Sequence, residues 1–99
     1  MTSSVSIYQK IGEPAMLEQI AEECAELAHS ALKLARFLRD ENPTPAPEAE
    51  IRQSFLEEVA DVTLCIDEWL KNHDETCYDI VNLTMDEKEE RWIKRLNGK

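Results

Sequence analysis

Four carboxylates stand in the sequence at a spacing that suits cation binding: Glu23 with Glu26, and Glu58 with Asp61. Each pair is separated by three positions, which on a helix makes the two side chains neighbours able to grip one ion. Taking 100° of rotation per residue, Met16, Ile20, Leu27, Leu34 and Leu38 fall at roughly +20° to +60° from Glu23, and Glu26 about 60° to the other side. On the second segment Ile51, Phe55, Val62 and Trp69 fall at roughly +20° to +60° from Glu58, with Asp61 about 60° the other way. Both segments thus set a carboxylate at the edge of a core-facing stripe, with the same phase. The words echo one another as well, Glu22-Glu23-Cys24-Ala25-Glu26 against Glu57-Glu58-Val59-Ala60-Asp61. Four such groups brought together would repel and lose hydration. Hard divalent cations remove that difficulty, and an all-oxygen donor set suits Mg²⁺ or Mn²⁺ better than zinc.

Two long helices must carry these pairs. The first is predicted from Glu13-Pro14, where proline is tolerated in the first turn, to about Asp40, with Met16, Ile20, Leu27, Ala31, Leu34 and Leu38 on its apolar face. The segment Glu41 to Pro47 holds three prolines and reads as a loop with some polyproline stiffness. The second helix is predicted from about Pro47 to Asn72, burying Ile51, Phe55, Val62, Cys65, Ile66 and Trp69. After a turn at Asn72-His73-Asp74, a short helix is expected over Glu75 to Val81. Thr84 with Glu87 then reads as a capping box opening a final charged helix from Met85 to about Leu96. Residues 1 to 12 form an N-terminal arm or a short helix. If the two long helices pack antiparallel, Glu23, Glu26, Glu58 and Asp61 converge.

The whole chain agrees with this. Its 99 residues make one domain, and two glycines are few for a sheet protein. The predicted class is all-α, an antiparallel bundle of two long helices plus a shorter C-terminal helix. Apolar faces left over on so small a bundle predict homo-oligomerisation, a dimer completing a four-helix core. A formal net charge of −10 argues against a nucleic-acid polymer as partner. Cys24, Cys65 and Cys77 lack any metal-thiolate spacing and read as buried free thiols of a reducing compartment. With no apolar run of membrane-spanning length and no signal-peptide pattern, no membrane is expected and the cytoplasm is the predicted location.

The pattern E-E-x-x-E followed by E-x-x-D on two helices resembles the MazG-like nucleoside triphosphate pyrophosphohydrolases, over about residues 13 to 96. The resemblance is carried by Glu22, Glu23, Glu26, Glu58 and Asp61, with the basic C-terminal helix as weaker support. It implies Mg²⁺ held by Glu23, Glu26, Glu58 and Asp61. It also implies hydrolysis between the α- and β-phosphates to a nucleoside monophosphate and pyrophosphate, and assembly as a homodimer or homotetramer. Phosphoribosyl-ATP pyrophosphohydrolase shares the carboxylate pattern and is the related enzyme reading. Glu22, beside the first pair, is the candidate to orient or deprotonate the attacking water. Lys88, Arg91 and Arg95 share one helical face and are the candidate phosphate contacts, with Lys94 beside them and Lys33 and Arg36 as weaker candidates.

Two readings of other classes compete. A non-catalytic acidic helical module would use the same carboxylates as a solvated surface. A di-iron bundle is suggested by Glu26-x-x-His29, but Leu64 stands where a partner histidine would follow Asp61, so His29 reads as a polar neighbour. His73 reads as a turn residue. Trp69 repeats the apolar phase and reads as core.

Overall fold

The computed structural model describes residues 5–41 and 46–98. Four helices follow in order, α1 (Ile7–Ile11), α2 (Glu13–Leu38), α3 (Glu48–Lys71) and α4 (Glu75–Asn97), and the described residues contain no strand. The all-α class read from the sequence is what forms. None of the helices is long and apolar enough to cross a membrane. The chain divides into two compact units, Met1–Trp69 and Leu70–Lys99.

In the first unit, α1 is closed at its start by a capping box: Ser6 Oγ accepts from the Gln9 N–H, and Gln9 Oε1 accepts from the Ser6 N–H. Gly12 alone joins α1 to α2. Its φ of 89° lies in the region that favours glycine. Its N–H donates to the Tyr8 carbonyl, and its own carbonyl accepts from the Met16 N–H, so one residue ends a helix and begins the next. Pro14 sits in the first turn of α2, as its sequence position predicts.

At the far end α2 stops in a Schellman turn. Asp40 adopts φ 59°, while Glu41 N–H donates to the Arg36 carbonyl and Asp40 N–H to that of Phe37. Of the predicted Pro-rich loop over 41–47, residues 42–45 lie outside those described, as do residues 1–4 of the predicted arm.

The core gathers Met16 and Leu34 of α2 with Ile51, Val62 and Cys65 of α3. Met16 is 1% exposed, and covering such a side chain stabilises by about 1.5–3 kcal/mol. Ile20, Leu27, Ala31, Phe55 and Trp69 are half-buried. Leu38 and Ile66, both expected inside, are exposed: Leu38 is the last residue of α2, and Ile66 directly follows buried Cys65, one step (100°) round the helix from it.

The second unit corrects the sequence reading. α4 runs unbroken for 23 residues, nearly the length of α3, so neither a short helix ending at Val81 nor a start at Thr84 exists. Thr84 and Glu87 match a capping box, yet nothing between Val81 and Met85 stops a helix, since neither proline nor glycine is there. The cap lies at Asp74 instead. Its carboxylate accepts from the Thr76 N–H and from the Thr76 hydroxyl, and these bonds hold its pKa below the ordinary carboxylate range. His73 occupies the bend before it, as expected.

Candidate metal centre

Within the first unit, Glu23 of α2 meets Glu58 and Asp61 of α3. Each offers one carboxylate oxygen, and the three oxygens lie within 4.8 Å of one another. Glu23 and Glu58 are half-buried and Asp61 is exposed. Their placement follows from helical phase: Glu58 and Asp61 are three apart on one face, and Glu23 stands at the edge of the core stripe facing them.

Glu26 and Glu22 fare differently. Both are exposed on α2, and neither belongs to the group of three. Glu26 nevertheless acts on it through its field. The Glu58 carboxyl is pushed above the ordinary carboxylate range by desolvation first, then by the charges of Asp61, Glu26, Glu23 and Glu57. Of the four carboxylates predicted to converge, three do so and the fourth adds charge nearby.

Two participants escaped the sequence reading. Gln19 donates from Nε2 to Glu23 Oε2 at 2.9 Å, which fixes the carboxylate that α2 contributes. It stands four residues before Glu23, the helical neighbour position, so the spacing could have revealed it. Glu68 is only 4% exposed and accepts the Tyr8 N–H at 3.1 Å. On the helical wheel it lies about 80° from Glu58, on the side of Asp61, so its phase was also open to reading. A groove of about 340 Å³ is walled by Glu23, Asp61 and Glu68 together with Ile7, Ile11 and Met16.

The donor set is all carboxylate oxygen, with Gln19 holding one member in place and Glu58 carrying the strain of uncompensated charge. Those residues fit a hard divalent cation. Cys65 also lines the groove, and burial and then the charges of Glu23 and Asp61 push its thiol up. All three cysteines are free; Cys65 is buried as expected, Cys77 is half-buried and Cys24 is exposed. His29 is exposed on α2.

The basic candidates stand in the second unit. Lys88, Arg91 and Arg95 are exposed on α4 and line one shallow surface with Trp92, so the shared face read from their spacing is real. Comparison with protein-family models, curated proteins and solved structures finds no match.

Proposed function

We propose that this chain is a Mg²⁺-dependent nucleoside triphosphate pyrophosphohydrolase of the MazG-like kind, cleaving between the α- and β-phosphates of a (d)NTP. The observation that carries the reading is the convergence of Glu23, Glu58 and Asp61 from two helices onto one point. A trio built at the margin of a core, with one member held by Gln19 and another driven toward protonation, asks for a cation.

In this proposal Glu23, Glu58 and Asp61 hold Mg²⁺, with Mn²⁺ as a substitute, and Glu26 completes the charge. A bound divalent cation neutralises phosphate oxygens and lowers the pKa of a coordinated water. Glu22, on the same helix, is the group assigned to orient or deprotonate the attacking water. Lys88, Arg91 and Arg95 are the assigned phosphate contacts. The antiparallel course of α2 and α3 belongs to the same proposal. It is supported by Glu23 meeting Glu58 and Asp61, while Tyr8, just before the start of α2, bonds to Glu68 near the end of α3. So does a homodimer or homotetramer, supported by the exposure of Leu17, Leu32, Leu56 and Leu64 on the long helices.

The test is incubation of the full chain with canonical and modified (d)NTPs plus Mg²⁺, with pyrophosphate as the readout. Release that is lost in Glu58→Gln and in chelator is the expected outcome. Tight Mg²⁺ binding with no pyrophosphate from any nucleotide sinks the enzymatic half of the reading.

A further inference from the structure

The groove beside the three carboxylates has an unusual wall. Ile7 and Ile11 come from α1, a helix of five residues. A helix that short does not hold itself together in water, since the first turn alone is a net loss. Its position therefore depends on what it touches. The Tyr8 N–H belongs to the first turn, whose donors have no intrahelical acceptor. Ser6 supplies the acceptor for Gln9; for Tyr8 the acceptor comes from sixty positions away, the Glu68 carboxylate.

At its other end α1 hangs from Gly12. A Cβ there would meet nothing within 4 Å, so glycine is demanded by the φ of 89° and not by crowding. The junction is one residue long, with open space around it.

Closing keeps a carboxylate 4% exposed, which is costly unless hydrogen-bonded, and gains the Tyr8 bond together with cover for the groove. Yet Ile7 and Ile11 remain 48% and 44% exposed, so α1 walls the groove without being sealed into the core. An element that walls a groove while half exposed can exchange between two positions.

We propose that Glu68 is a latch: its carboxylate holds α1 as a removable wall of the groove beside the acidic trio, and Gly12 is the hinge. Glu68 acts here as a positioning residue. Opening α1 widens access to Glu23 and Asp61, and a ligand that touches Ile7 or Ile11 draws α1 closed. The latch stands on geometry alone; its effect on turnover rests on the pyrophosphohydrolase reading.

The experiment is amide hydrogen exchange on the full chain, read separately for α1 and for α2 and α3. Glu68→Ala speeds exchange of α1 by about tenfold or more, as loss of the carboxylate that accepts the Tyr8 N–H implies, and leaves α2 and α3 as they were. Glu68→Gln, which keeps an acceptor oxygen, retains most of the protection. Gly12→Ala, with Glu68 intact, frees α1 through backbone strain alone and so tests the hinge without touching the core. Unchanged α1 exchange in Glu68→Ala overturns the latch and unchanged exchange in Gly12→Ala overturns the hinge, and equal acceleration of α1 and α3 in either overturns the proposal. If a nucleotide is turned over, both variants raise KM more than they lower kcat. An inactive wild type with a tenfold effect on α1 refutes the enzymatic reading and leaves the latch standing.

Discussion

At the scale of single residues, Glu58 concentrates the energetics of the site. Burial and four neighbouring carboxylates raise its pKa, so the folded, metal-free protein binds its proton to higher pH than the unfolded chain does. Stability from this group is therefore full below the ordinary carboxylate pKa and declines as pH rises through the raised value. In chelator, the melting temperature of the wild type falls across that window, and Glu58→Gln flattens the fall. A decline of the same size in both proteins would remove Glu58 as its cause. If the trio holds Mg²⁺ as proposed, the ion competes with that proton and its stabilising effect grows with pH over the same window. At a concentration a hundredfold above Kd a bound ligand adds about 2.7 kcal/mol, which for a domain of this size raises Tm by roughly 10–20 °C. Thermal unfolding with and without Mg²⁺ reads this directly. Loss of the shift in Glu58→Gln and in Asp61→Asn is expected, and a shift that survives both would place the cation elsewhere.

At the scale of elements, helix ends decide what the apolar pattern leaves open. Asp40 holds a left-handed conformation at the end of α2, where glycine is the usual occupant. Asp40→Gly removes that strain, adds some freedom to the unfolded chain, and nets a gain of up to about 1 kcal/mol. Denaturant unfolding checks it, and a lower midpoint would show that the aspartate side chain contributes more than its backbone costs. Capping words mark ends only where the chain leaves helical geometry: Thr84-x-x-Glu87 lies mid-helix, whereas Ser6-x-x-Gln9 and Asp74 cap true starts and Gly12 separates α1 from α2. A capping box satisfies orphan N–H groups only where the chain has already left helical geometry, and nothing near Thr84 forces it out.

At the scale of the molecule, charge dominates. Twenty-one acidic residues against eleven basic ones leave a net charge of −10, and self-repulsion of that kind destabilises a compact state. The exposed Glu48–Arg52 pair on α3 offsets little of it, since such pairs contribute about 0.3–0.5 kcal/mol. In chelator, raising NaCl from about 0.01 M to about 1 M shortens the screening length from roughly 30 Å to roughly 3 Å, so Tm rises. A falling Tm would mean that attractive pairs, not the acidic excess, set the electrostatic balance.

The opening feature, carboxylate pairs on two helices, was legible because helical periodicity is a property of the sequence itself. Spacing placed Glu23 and Glu58 at the core margin, and Glu13-Pro14 marked the start of α2. What the periodicity could not determine was which carboxylates approach one another across helices. That depends on how far each Cβ points toward its neighbour, and it brought Glu23, Glu58 and Asp61 together while leaving Glu26 and Glu22 at the surface. Likewise, Glu68 and Tyr8 are sixty residues apart, and no local pattern announces a hydrogen bond between them. Only the Tyr8–Glu68 bond between α1 and α3 makes a glutamate lying off the apolar stripe the anchor of a groove wall. The sequence by itself determined the helices and their apolar faces, because those follow from short-range sterics and spacing. Tertiary structure decided the membership of the site, because that is set by long-range contacts.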